Sequence, residues 1–134
     1  MANEVIVVDL LGDGGDPIEY TCLDNTGIPK GTILELEDLR TVKKVSADNK
    51  PLAGIAQFEK VADDGSTTIS VLTNCIIKAT CEVTEATVGF HQVAHDATNM
   101  LADGDTLDNE TGDVIGYALE TAGSGDTYLV RVKK

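Results

Sequence analysis

The sequence feature that most constrains the fold of this chain is an internal repeat marked by glycines. Each half has a glycine near a short apolar segment, then a Gly-x-Ala motif, then a glycine and aspartate turn before a β-branched run. Three pairs of glycines correspond between the halves, at separations of 58, 62 and 60 positions: Gly31 and Gly89, Gly54 and Gly116, and Gly65 and Gly125. Small insertions and deletions in the loops of a duplicated unit produce such a drift. The repeat predicts two related modules with glycines at their turns.

Short β-prone segments alternate with turn signals along most of the chain. In Tyr128–Val132, positions 128, 130 and 132 share one face and Arg131 points the other way, which is the two-residue period of a strand. Glu35–Val45 has a weak helical pattern, but its Thr and Val residues favour extension. We predict an all-β fold with little helix, a small barrel or sandwich made of two related strand-rich repeats. The predicted strands are Thr32–Leu36, Thr41–Val45, Leu52–Phe58, Thr67–Leu72, Cys75–Ala79, Cys81–Val83, Phe90–Val93, Thr106–Leu107, Val114–Leu119 and Tyr128–Val132.

The domain organisation follows from the repeat. Residues 28–134 are predicted to form a single β-domain, with the first repeat at 28–79 and the second at 80–134. Residues 1–27 contain the apolar run Val5–Val8 and then a glycine-rich loop. That run is either an ordinary first strand of the sheet or an arm that pairs with a neighbouring protein by strand addition.

The composition excludes several classes of partner. The formal net charge of −13 disfavours nucleic acid and anionic membrane surfaces, because both would be repelled. The acids are scattered, which indicates a solvated surface; a divalent cation, a basic partner and high salt remain alternatives. Aromatic residues make up only 4% of the chain, so the core is expected to be aliphatic and a deep ligand pocket is disfavoured.

The three cysteines predict free thiols. An odd number argues against a simple disulfide framework, and Cys75 and Cys81 would lie about 20 Å apart on one extended strand. We therefore expect buried thiols in a reducing compartment. The segment Met1–Leu11 has no basic region typical of a signal peptide, and no apolar run approaches membrane-spanning length. The chain is expected to be made in a cytoplasm.

No constellation of reactive residues is evident. His91 and His95 have the spacing of a metal pair on a helix, but on a strand they would lie about 13 Å apart, too far to share one ion. The acidic stretches Asp9–Asp16 and Asp103–Asp108 have the composition of turns as well as of calcium loops. No serine lies in a Gly-x-Ser-x-Gly motif. We expect no catalytic residues, no bound metal and no cofactor.

The motifs of the second repeat resemble those of the head decoration proteins, or capsid cement proteins, of tailed viruses. The resemblance covers residues 28–134 and is looser in the first repeat. The residues that carry it are Gly89 with Val93, Ile115–Glu120 and Gly125–Val132, with Gly31, Gly54–Ala56 and Gly65 in the first repeat.

This resemblance implies a non-enzymatic virion protein with a small β-barrel or β-tulip-like fold. Such a protein is made in the host cytoplasm, binds the outside of an icosahedral capsid as a homotrimer, and clamps subunits of the major capsid protein. Our hypothesis is that Val5, Ile6, Val7 and Val8 contact the capsid by strand pairing. Alternatives are a surface module that binds protein or carbohydrate without a capsid, and a metal-dependent enzyme that uses His91, His95 and an acidic residue.

Overall fold

The computed structural model describes residues 3–11, 17–47, 50–82, 85–94, 97–104 and 112–134. In these ranges the regular secondary structure is almost all β-strand, which confirms the predicted all-β class. The strands are β1 Ile6–Leu10, β2 Ile18–Thr21, β3 Ile33–Glu37, β4 Thr41–Lys44, β5 Leu52–Ala56, β6 Thr68–Leu72, β7 Asn74–Thr80, β8 His91–Val93, β9 Ala102–Asp103, β10 Val114–Ala118 and β11 Thr127–Lys133, with a 3-10 turn at Asp38–Arg40. No helix in this part of the chain is long and apolar enough to span a membrane.

The strands form two modules with the same strand order. The first is a closed barrel, β2-β6-β5-β3-β4, in which β4 returns parallel to β2 through Thr21 and Thr41. The second is the sheet β7-β11-β10-β8-β9, with β1 added alongside β7. A parallel bridge between Cys81 and Leu101 brings the two ends of this second sheet together in the same way.

Backbone hydrogen bonds repeat from one module to the other, which shows that the sequence repeat is a structural repeat. The amide of Gly31 donates to the carbonyl of Ala56 at 3.0 Å, and the amide of Gly89 donates to that of Ala118 at 2.8 Å. Two further pairs of equivalent contacts are the antiparallel bridges Ile28–Lys60 and Ala86–Ala122, and the bonds from Cys22 to Thr67 and from Cys81 to Asp126.

The boundary between the modules differs from the predicted one. The predicted first repeat, 28–79, contained β7, but β7 pairs with β11 and β1 in the second module. In the first module the same place beside β6 is taken by β2, which the sequence did not predict. Four residues directly after a glycine-rich stretch give too short a pattern to identify as a strand. Of the other predicted strands, Thr106–Leu107 and Val83 lie outside the described residues.

The buried side chains form two clusters, and the larger one is shared by both modules. The barrel interior is a separate aliphatic cluster around Leu34, Val42 and Val71. The larger cluster combines the inner face of the second module with Ile33 and Ile55 from the outside of the first barrel. Each fully buried side chain of this size contributes about 1.5–3 kcal/mol to folding. The predicted aliphatic core is therefore confirmed, and burial joins the two modules.

Glycine is required at one position of β5 and one of β10, where the backbone of the neighbouring strand, β6 or β11, comes too close for a Cβ atom. A Cβ atom on Gly116 would lie 1.7 Å from the carbonyl oxygen of Arg131, and one on Gly54 would lie 2.3 Å from that of Leu72. The strand registers also shift next to both glycines. The Gly-x-Ala motif of the repeat therefore marks a close approach of two backbones.

Asn99 ties the N-terminus and both modules together. Its side-chain oxygen accepts the amide of Ile33 at 2.7 Å, and its Nδ2 donates to the carbonyls of Gly31 and Asn3, both at 2.9 Å. The side chain of Asn3 donates in return to the carbonyl of Thr98. The residue is buried and has a φ of 63°, which asparagine tolerates better than most residues. The start of β1 is therefore fixed to the body of the protein.

All three cysteines are buried and free, as predicted. Burial raises the pKa of the Cys75 thiol from 9.0 to about 11, although Arg131 acts in the opposite direction. Burial also raises the pKa of Cys22 and of Cys81. These thiols pack as small apolar side chains.

We predict that Gly116→Ala lowers the free energy of unfolding by about 3 kcal/mol, because β10 and β11 must separate to admit the methyl group. Gly123→Ala is the matched control, since its Cβ would meet Asp126 Oδ2 at an ordinary 3.6 Å. The control is expected to change stability by less than about 0.5 kcal/mol. Urea denaturation followed by circular dichroism measures both free energies of unfolding. Equal stability of the two variants would contradict the close approach of the β11 backbone to Gly116.

We predict that Asn99→Ala destabilises the fold by about 1–3 kcal/mol, because it leaves the buried amide of Ile33 without a partner. Hydrogen exchange of the β1 amides is expected to become faster at the same time. Asn25→Ala, which removes only an exposed bond with Thr26, serves as the control. Unchanged exchange in β1 of the Asn99 variant would show that this side chain does not anchor the strand.

We predict that stability falls as pH rises from about 9 to about 11. In this window the Cys75 thiol ionises in the unfolded chain and stays protonated in the folded one, so proton release favours unfolding. Cys75→Ala is expected to lose part of this pH dependence and to have the same slope as the wild type below pH 8. Denaturation midpoints at several pH values test it, and parallel curves over the whole range would refute it.

Candidate docking surface

Each module has a row of three cross-strand neighbours at corresponding positions, and this row is buried in the first module but exposed to solvent in the second. In the first module, Ile33 pairs with Ile55 and Ile55 with Leu72, on the outside of the barrel. All three are buried, at 0%, 0% and 2% exposure, because they belong to the core cluster shared with the second module. The outside of the first barrel is therefore an internal joint.

The corresponding row of the second module faces solvent. His91 pairs with Tyr117 and Tyr117 with Arg131, in the same strand order. Tyr117 is 38% exposed, His91 is exposed and Arg131 is half-buried. Three buried aliphatic side chains of the first module thus correspond to an imidazole, a phenol and a guanidinium at the surface of the second.

The neighbouring positions extend this surface across the sheet. Ile6 of β1 pairs with Lys78 of β7, and Lys78 pairs with Leu129 of β11. Alternate residues of β7 and β11 point inward and are buried, so these residues point outward. We call this surface the outer face; its residues are Ile6, Ile76, Lys78, His91, Tyr117, Leu129, Arg131 and Lys133.

The outer face is cationic on a strongly acidic protein. It carries Lys78, Arg131 and Lys133 although the net charge of the chain is −13. Two acids lie at its margins: Asp9 pairs with Ile76 at the β1 edge, and Glu120 accepts the amide of Leu129.

The described ion pairs lie in the first module. Lys43 contacts Glu35 and Glu37 on neighbouring strands of the barrel. Lys60 is buried and donates to Asp24 and Asp64 at 3.1 and 2.8 Å. Burial alone would lower the pKa of Lys60, but these hydrogen bonds outweigh burial and raise it. Within the described ranges, the lysines and the arginine of the outer face form no comparable pair with a carboxylate.

A depression of about 390 Å³ opens at the β8 side of the outer face. It is lined by His91, Tyr117, Lys133 and Lys134, with Val114 and Gly116. The amine of Lys134 donates to the carbonyls of Val114 and Gly112, and burial lowers its pKa, opposed by the charge of Asp113. Cationic donors around an aromatic ring are suited to a carboxylate with an apolar stem.

The residues predicted to contact a capsid have different environments in β1. Val5 is buried and its amide donates to Gly31, and Val7 packs against the shared core. Ile6 and Val8 are 59% and 54% exposed, the latter at an irregularity in the pairing with β7. The strand thus belongs to the sheet, and its other edge has no partner strand among the described residues. Contact with a capsid stays a prediction, for which Ile6 and Val8 are available.

The residues considered for metal binding do not come together in the described part of the chain. His91 lies in β8, so the strand interpretation of this segment is right, and His95 lies outside the described residues. Asp9 lies in β1, whereas Asp103 in β9 accepts the amide of Thr87 and the side chain of Gln92. The remaining aspartates of the two acidic stretches lie outside the described residues. Among the described residues, no three His, Cys, Asp or Glu side chains are placed to hold an ion.

Sequence reasoning did not find the outer face. Lys78, Arg131 and Tyr117 each stand alone in a β-prone segment, and only the strand register places them on one surface. The signal that could have found them is the alternation of β7 and β11, in which the outward positions carry the cations.

Comparison with known proteins gives a match of fold. No family model matches the chain, and no curated protein matches it. Among solved structures, it is similar to the N base of the head fiber gp8.5 of bacteriophage phi29, with a TM-score of 0.56 and 15% sequence identity. The match covers 87% of this chain and 93% of that chain. The chain therefore shares its overall fold with the base of a phage head fiber.

Proposed function

We propose that this chain is a structural protein of a tailed-virus virion that attaches to the outer surface of the icosahedral head. The observation that carries the proposal is the shared fold with the base of a phage head fiber, over nearly the whole of both chains. The motif resemblance to head decoration proteins supports the same role from independent features of the sequence.

We further propose that the protein stabilises the head by clamping neighbouring subunits of the major capsid protein. A homotrimer would present several docking surfaces at once, and the resulting effective concentration strengthens attachment beyond any single contact. The role is mechanical and needs no catalysis. The acidic remainder of the surface would then face outward and keep particles apart in solution.

Strand β1 supports this role because it is an edge strand that another protein can reach. It lies at the end of the six-stranded sheet, where an extended segment of a capsid subunit can pair with it. Ile6 and Val8 provide exposed apolar side chains on the same strand. Because Asn99 and Gly31 fix its start, the strand offers an ordered template rather than a free arm.

The exposed aromatic residues keep one alternative open, a surface module that binds carbohydrate. Phe58 and Phe90 are 62% and 54% exposed, and such rings can stack on sugars. They lie in different modules, so they do not form one platform in the register of the sheets. Binding to cells or glycans in place of virus heads would favour this alternative.

The test uses heads purified from a virus from which the gene for this chain has been deleted. We expect the purified protein to co-sediment with these heads, to saturate at a fixed number per capsid subunit, and to raise the temperature at which the heads release DNA. Heads that already carry the protein are the control, because their sites are filled. Light scattering of the free protein is expected to give the mass of a trimer.

Absence of saturable binding would overturn the proposed attachment. Binding without any gain in head stability would overturn the clamping role while leaving attachment intact. A monomer in solution and on the head would overturn the proposed trimer.

A further inference from the structure

We propose that the outer face is the surface by which this protein docks on the capsid, and that it recognises carboxylates arranged around an apolar patch of the capsid subunit. This inference rests on the proposed function, since it names the surface and the partner chemistry of the same attachment. It differs from strand pairing at β1, because it places the contact on side chains across five strands.

The repeat gives the first argument. The row of Ile33, Ile55 and Leu72 shows that this side of a module can pack against another protein surface, since it does so within the chain. The corresponding row in the second module keeps the same strand geometry but carries Tyr117 and Arg131. The second module therefore has the same side available for packing, and its side chains suit a polar and charged partner.

The unpaired cations give the second argument. Lys78 pairs with Leu129 and Lys133 with Asn74, and the ion pairs among the described residues involve neither lysine. Covering these amines with an apolar surface would cost their solvation without compensation. A partner that covers this face must therefore bring negative charge to these positions.

The depression beside Tyr117 gives the third argument. His91, Tyr117 and Lys133 line this space of about 390 Å³, and β10, which carries Tyr117, lies between the strands that carry His91 and Lys133. An aspartate or glutamate side chain of the partner fits this chemistry, with its stem on the ring and its carboxylate near the amine.

The whole-molecule charge selects protein as the occupant. Phosphate-rich polymers and anionic lipid surfaces would also meet the cations, but their extended charge would be repelled by the remaining surface of a chain with a net charge of −13. A folded capsid subunit can present a few carboxylates locally at the contact. A second copy of this chain is the competing occupant, and the experiment separates the two.

The experiment compares two double variants with the same change in net charge. Lys78→Glu with Lys133→Glu reverses two exposed charges of the outer face, and Lys44→Glu with Lys50→Glu reverses two exposed charges outside it. Circular dichroism and the denaturation midpoint first establish that both are folded. Binding to heads that lack the protein is then measured by co-sedimentation at several salt concentrations.

We expect the outer-face variant to bind about tenfold more weakly or worse, and the control variant to bind as the wild type does. We also expect wild-type binding to weaken with added salt and the outer-face variant to lose this dependence. Tyr117→Thr, which keeps the strand and the charge, is expected to weaken binding as well. Converting head carboxylates to neutral amides is expected to reduce wild-type binding to the level of the variant.

Equal binding by the two double variants would overturn the inference while leaving the proposed attachment standing. Failure of the wild type to bind would instead overturn the proposed function itself. Loss of self-association by the outer-face variant, with binding per protomer to heads unchanged, would assign this face to a second copy and overturn the capsid as its occupant.

Discussion

The joint between the modules is the interaction on which the rest of this structure depends. Ile33, Ile55 and Leu72 lie on the outside of a closed barrel, where an isolated module of this size would expose them to water. Their burial in the core cluster of the second module removes that surface and makes one domain from two small ones. Asn99 adds hydrogen bonds at the same junction, so the two modules and the start of β1 are held together.

Duplication of a module creates two copies of every surface, and the joint uses only one copy of the docking side. The second copy is free to take another function. Its central position is occupied by Tyr117 where the first has Ile55, so this row of the solvent-facing copy is less aliphatic and less prone to aggregate. The close backbone approach at Gly54 and Gly116 is the same in both modules. The close approach at the two glycines is common to both copies, whereas the corresponding face is buried in the joint in one copy and open to solvent in the other.

The sequence predicts the local part of this architecture well. Glycine pairs, turn dipeptides and two-residue alternation identify the all-β class and most strands, since each depends on neighbours in the chain. The module boundary and β2 could not be predicted, because they depend on which distant strand completes each barrel. The Val5–Val8 run was recognised as β-prone, but its division into buried Val5 and exposed Ile6 requires the pairing with β7. For the same reason the sequence does not reveal the outer face, because only the strand register places its cations on one surface.

An uneven distribution of charge also orients the molecule before any contact forms. The outer face is cationic while the chain as a whole is acidic, so an acidic patch on a larger surface attracts one side of the protein and repels the others. Orientation of this kind lowers the number of unproductive encounters, and it acts over about one Debye length, roughly 8 Å at physiological salt. In the proposed docking, the same asymmetry would leave the acidic surface facing away from the partner, where it would repel further copies of the chain.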